Sequence, residues 1–275
     1  MNRIILIYLN IFVFGVNCMF YNDDDVSLRI VDGFQARSGQ FPYMASLILN
    51  NTFQCGGTII TRQWILTASH CFIDQETQER YAAEYFEVTV GDIYWRSGRR
   101  NSVLRYLTHA KYNGEHFNND IALAQVKWPF KFDYYSQPIK LNRLPVMDHL
   151  QNLSVITAGW GFYVNPNDKE ESESESPVLL TVHLKTIPMK LCKEHFEAEA
   201  LPSTKICVSS ATRKGTCQGD SGGPLIYNNK QIGVVSSGYP CPTDIPELYT
   251  RISSFFLWIR ENIRRLTPGE LKYLV

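Results

Sequence analysis

Three short stretches of this chain hold residues of the types needed for nucleophilic catalysis. Gly219-Asp220-Ser221-Gly222-Gly223-Pro224 sets a serine among glycines, where the backbone can turn tightly and approach another molecule closely. Leu66-Thr67-Ala68-Ser69-His70-Cys71 places a histidine just after an apolar run, and Asn119-Asp120-Ile121-Ala122-Leu123 leads an acid into one. A serine hydroxyl is a poor nucleophile until a base removes its proton. An imidazole, with an ordinary pKa of about 6.5, suits that task. A carboxylate entering an apolar strand needs a partner, because an unpaired buried charge is costly. Taken singly, the histidine also reads as a core residue and the aspartate as a strand-edge acid.

Chain order narrows the choice. The serine stretch alone fits the Gly-x-Ser-x-Gly elbow of α/β-hydrolases, in which the triad histidine follows the serine. All six histidines, at 70, 109, 116, 149, 183 and 195, precede Ser221, which excludes that arrangement. The order His70, Asp120, Ser221 is instead that of the chymotrypsin-type triad.

The elements that would position these groups are short. Apolar, β-branched pieces such as Phe86 to Val90, Leu153 to Ala158 and Gln231 to Val235 end at turn residues. Many such strands predict an all-β sandwich or barrel rather than βαβ units. One helix is expected near the end, where Phe255, Trp258, Ile259, Ile263 and Leu266 share a face. Ser253 or Ser254 would cap it and Pro268-Gly269 would stop it; it reads as a packing element without chemistry. Asn165 to Pro177, centred on alternating acid and serine, is expected to be a solvated loop.

Composition sets the class. With 44% hydrophobic and 20% charged residues the chain is globular, and 27 basic against 27 acidic residues give no reason to expect nucleic acid or membrane partners. Arg3 followed by the apolar run Ile4 to Val16 is too short to span a bilayer and reads as a secretory signal, assigned to residues 1–18. Seven cysteines, less Cys18 in that segment, leave an even six: Cys55, Cys71, Cys192, Cys207, Cys217 and Cys241. None has C-x-x-C spacing, so three disulfides are expected, with fifteen pairings open on spacing alone.

From Ile30 to about Arg265 the chain resembles the chymotrypsin/trypsin family of serine endopeptidases. The resemblance rests on Arg29-Ile30-Val31-Asp32-Gly33, Ala68 to Cys71, Asp120 to Leu123, Gly159-Trp160-Gly161 and Gly219 to Pro224. It implies two antiparallel β-barrels, split near residue 140 within a domain spanning 30–275, plus a C-terminal helix. It implies the triad His70, Asp120, Ser221, and an oxyanion hole formed by the N–H groups of Gly219 and Ser221. It also implies the bridges Cys55–Cys71, Cys192–Cys207 and Cys217–Cys241. Residues 19–29 would be an activation peptide: a trypsin-like protease would cut after Arg29, and the new Ile30 ammonium would pair with Asp220. The expected protein is a secreted monomer acting on proteins or peptides, open to protein inhibitors, with no metal or other cofactor.

Specificity is where the pattern breaks. Gly215 stands at the pocket base where trypsins carry aspartate, which disfavours trypsin-like selection by the usual route. The walls would come from Ser236, Ser237 and Gly238 and from the strand ending in Pro246-Glu247-Leu248-Tyr249. Ser237 replaces the usual tryptophan, and Glu247 replaces the usual glycine, on the pocket wall. The resulting expectation is a chymotrypsin-like preference with secondary cleavage after Lys or Arg. The departures keep a second class open, a catalytically weak or inactive homologue that binds partners through its cleft.

Overall fold

The computed structural model describes residues 33–144, 152–163, 174–196, 201–209, 215–238 and 245–274. The signal and activation segments expected at 1–18 and 19–29, with Arg29 and Ile30, lie outside them, as does Cys241.

Two closed antiparallel barrels carry the molecule. The first uses β1 (Met44–Leu49), β2 (Thr52–Ile59), β3 (Trp64–Thr67), β4 (Phe86–Val90), β5 (Arg99–Thr108) and β6 (Ala122–Val126). Their order is β1-β2-β3-β6-β5-β4, and β4 returns to pair with β1. The second uses β7 (Ser154–Gly159), β8 (Leu180–Ile187), β9 (Lys205–Ser209), β10 (Pro224–Tyr227), β11 (Lys230–Ser237) and β12 (Glu247–Arg251). It runs β8-β9-β12-β11-β10-β7 and closes where β7 pairs with β8. Closure pairs each of these barrel strands on both sides and so leaves them no open edge to protect.

Each barrel fills its own interior. Leu47, Ile59, Phe72, Phe86 and Leu123 pack the first; Val155, Leu180, Val208, Leu225 and Tyr249 pack the second. A third cluster draws on both: Met44, Ile48 and Phe53 from the first barrel meet Ala158 and Trp160 from the second. This shared apolar layer sets the two barrels against one another, which fixes the cleft between them.

The C-terminal helix α2 (Ile252–Leu266) follows the short α1 (Met189–Lys193). Phe255, Ile259 and Ile263 are buried on the face expected for them. Its start differs from expectation. It opens at Ile252, directly after β12, with Arg251 at the cap and no side-chain capping bond, so neither serine caps it. Burying Ile252 completely in the core sets that start. Pro268 does not end regular structure either; it opens a 3₁₀ turn through Tyr273. The acid-serine segment is also corrected at its end. Ser174–Glu175 pair with Phe162–Tyr163, and the buried Ser176 donates its N–H to the Trp160 and Gly161 carbonyls. Residues 164–173 lie outside the described part. Among the described residues no helix is long and apolar enough to cross a membrane.

Candidate active site

His70 opens a 3₁₀ turn immediately after β3, whose four residues are all buried. Asp120 sits directly before Ile121, two residues ahead of β6, the strand that pairs with β3, so the sheet brings the two loops together. Asn119 turns the chain there at φ 55°, a left-handed conformation that asparagine tolerates, and its amide donates to the Lys111 carbonyl at 2.7 Å. Ser69 pins the two loops with a 2.7 Å hydrogen bond from its hydroxyl to the Ile121 carbonyl.

The acid and the imidazole are directly paired. His70 Nδ1 lies 2.8 Å from Asp120 Oδ2, and the His70 main-chain N–H donates to Oδ1 at 3.0 Å. An ionised carboxylate only accepts, so the ring proton sits on Nδ1 and Nε2 keeps its lone pair. Asp120 is fully buried. Burial works to raise its carboxyl, but the charge and hydrogen bond of His70, the Lys205 ammonium and the Ser236 hydroxyl outweigh it. The carboxyl is held below its ordinary range.

Ser221 comes from the other barrel, in the turn before β10. Its carbonyl accepts the Gly56 N–H of β2 at 2.8 Å, a contact across the barrels. Gly222, at φ 79°, lies so close to the Thr67 hydroxyl and the Gly56 carbonyl that a Cβ would overlap them. His70, Ser221, Phe117, Thr216, Ser237 and Gly238 line one cavity of about 400 Å³. The three sequence candidates for nucleophilic chemistry are thus brought to one place.

Asp220 is not among the residues that line this cavity. It is buried, and its carboxylate accepts the N–H groups of Gly161 and Cys217, each at 2.8 Å. A side chain at Gly159 or Gly161 would overlap that carboxylate, which accounts for the Gly-Trp-Gly sequence. Burial pushes Asp220 up to about 6, with the two N–H bonds working against it. Gly219 adopts φ 92°, and a Cβ there would lie 3.0 Å from Gly161 Cα.

Glu247 packs against the residues of the cavity lining, bonded to Thr216 and close to Gly238. Its carboxylate would overlap a side chain at Gly215 and bonds Thr216, while its Cγ would lie 3.7 Å from a Cβ on Gly238. Ser236 faces Asp120, with its hydroxyl donating to Oδ2 at 2.6 Å. Cys55–Cys71 and Cys192–Cys207 are disulfides, two of the pairings the resemblance implies. Cys217 is also disulfide-bonded, while Cys241 lies outside the described residues.

Three residues of the site escaped the sequence reading. Phe117 sets its ring edge-on to His70 at 5.5 Å between centroids, and three residues before Asp120 was the only hint of it. Thr216 ties Glu247 to the cavity lining. Lys205 lies buried near Asp120; a lysine at the head of the apolar run Ile206-Cys207-Val208 was its signal.

The chain is similar to known proteins over most of its length. The family model described as Trypsin matches residues 30–259. Chymotrypsin-2 of Vespa crabro is 32% identical over 239 residues, covering 85% of this chain and 99% of that protein. Serine protease SP24D of Anopheles gambiae is 31% identical over 239 residues, covering 86% of this chain and 82% of its own. The solved structure of neuropsin, a serine protease of mouse brain, is alike in fold, with a TM-score of 0.73 at 24% identity over 84% of this chain and 99% of that one.

Proposed function

The chain belongs to the trypsin family of serine endopeptidases, and from that premise we propose that His70, Asp120 and Ser221 are its catalytic triad. The observation that supports this most is the 2.8 Å pairing of His70 Nδ1 with a buried, ionised Asp120, in a cleft that Ser221 also lines. Family membership makes proteins or peptides the substrates.

In this reading, His70 Nε2 takes the proton of Ser221 Oγ as that oxygen bonds to the substrate carbonyl carbon. Asp120 stabilises the imidazolium so formed. The main-chain N–H groups of Gly219 and Ser221 meet the developing oxyanion, each worth about 10²–10³ in rate. His70 then gives its proton to the amide nitrogen as the C–N bond breaks, leaving an ester on Ser221. Water, giving its proton to His70, adds to the ester; that proton returns to Oγ as the acid product leaves.

Activation follows from the second buried acid. Asp220 has two N–H donors but no cation among the described residues. An ammonium on Ile30, freed by a trypsin-like protease cutting after Arg29, would supply one beside the oxyanion hole. The leader at 1–18 would direct the precursor to secretion, where its disulfides persist.

For specificity, Gly215 brings no charge of its own to the pocket, which favours a large apolar or aromatic side chain, and the Glu247 carboxylate packed against it gives a basic one a counter-charge. The account commits to Phe, Tyr or Leu before the cleaved bond, with secondary cleavage after Lys or Arg. Peptide hydrolysis by purified Ser221→Ala tests the whole reading: turnover should fall roughly 10⁶-fold, and by about 10⁴ in Asp120→Asn. Near-normal turnover in Ser221→Ala would sink it.

A further inference from the structure

Asp120 has a second cationic neighbour. Lys205 opens β9, and although lysine is normally exposed, only 1% of its surface is accessible. Its Nζ donates to Ser236 Oγ at 2.7 Å and lies 3.5 Å from Thr250 Oγ1. Ser236 Oγ donates in turn to Asp120 Oδ2 at 2.6 Å, the same oxygen that lies 2.8 Å from His70 Nδ1. An unbroken chain of hydrogen bonds therefore runs from the lysine to the imidazole.

This charge heads an apolar run. Ile206, Cys207 and Val208, which follow on the strand, are all buried. A buried ion pair is weak evidence for stability, and apolar replacements of similar volume often do as well. The consequence of the charge is local. An ammonium can only donate, so Ser236 accepts from it and turns its single proton to Asp120. The carboxylate stabilises an imidazolium on His70, and a positive charge behind it cancels part of that effect.

We propose that Lys205 is a positioning residue of the catalytic relay, whose ammonium acts through Ser236 and Asp120 to make His70 less basic. The inference rests on the triad reading above and extends it by one residue. Its effect is to keep the imidazole neutral, and the enzyme active, into more acidic solution.

The charged and titratable groups around Lys205 come from several elements. Asp120 faces it from the segment before β6, with His70 beyond, and Tyr112 lies near Asp120, its hydroxyl raised by burial and then by that charge. From β12, Arg251 donates Nη2 to the Lys205 main-chain carbonyl at 2.9 Å and Nε to that of Ser203 at 2.9 Å. Burial pulls Lys205 down to about 8, against the pull of Asp120, so the relay itself changes charge in mildly alkaline solution.

The test is the pH profile of kcat/KM for activated wild type and Lys205→Met, whose midpoint does not depend on how much of the variant folds. At an effective dielectric of about 20, removing a charge at this remove should move the acidic limb to higher pH by about one unit. A second measurement needs no variant. In the wild-type enzyme the NMR resonance of the His70 Nδ1 proton should move in two steps, one with His70 itself and one near pH 8, as Lys205 loses its proton. Coincident acidic limbs, or a single step, would overturn the proposal. Both experiments use enzyme whose Ser221 takes up a fluorophosphonate. No uptake would sink the triad reading and this inference together, whereas uptake with an unmoved limb would sink only the role of Lys205.

Discussion

The carboxylate of Glu247 accepts two hydrogen bonds from Thr216, one from its main-chain N–H at 2.6 Å and one from its hydroxyl at 2.8 Å. Tyr249 supplies a third, from its hydroxyl at 2.9 Å. An acid bonded to a residue of the cavity lining links the pocket to pH, because burial, opposed by these bonds, pushes Glu247 up to about 7.

Specificity should therefore change with pH. Below about 7 Glu247 is neutral and a Phe substrate is favoured; above it the carboxylate is charged and a Lys substrate gains. The ratio of kcat/KM for matched Lys and Phe substrates should rise through that pH, with ionisations common to both substrates cancelling in the ratio. Glu247→Gly should flatten the rise and suppress Lys cleavage, leaving or improving Phe cleavage. An unchanged ratio in the variant would place Glu247 outside substrate selection.

Activation should depend on Arg29. Arg29→Gln should leave the precursor inert to a trypsin-like protease, and N-terminal sequencing of active wild-type protein should read Ile30-Val31-Asp32-Gly33. Any other start in the active form, Met19 for example, would refute the proposed mechanism of activation.

Stability of the precursor should fall as pH rises. Asp220 and Glu247 have folded-state values of about 6 and about 7, above their ordinary 3.8 and 4.5. Raised carboxyls contribute stability that is fully present below the ordinary values and is lost as pH climbs through the folded ones. Thermal unfolding of a Ser221→Ala precursor should show that loss between about pH 4 and pH 7, and Asp220→Asn with Glu247→Gln should remove most of it. A wild-type curve of the opposite slope in that window would contradict the placement of both acids.

Much of this site was legible because its chemistry is local in sequence. Gly219 to Pro224 and Ala68 to Cys71 are contiguous runs whose residue types already state a nucleophile and a base. Short β-branched runs likewise announced the strands. What escaped were relations that exist only across strands. Lys205 reaches Asp120 through Ser236, residues 31 and 116 positions apart from that serine. Glu247 meets Thr216 across 31 positions, so that contact was not readable from the strand that carries it. The helix start differs for a simpler reason: capping preference favours Ser253 or Ser254, and burial of Ile252 overrides it.

The central claim is that Ser221 is a nucleophile made competent by the cut after Arg29. Intact precursor and cleaved protein, each treated with a fluorophosphonate and digested for mass spectrometry, test it most directly. The account predicts one stoichiometric adduct, on Ser221, in the cleaved protein, with little in the precursor and none in His70→Ala. Equal labelling of precursor and cleaved protein, or an adduct on any other residue, would contradict it.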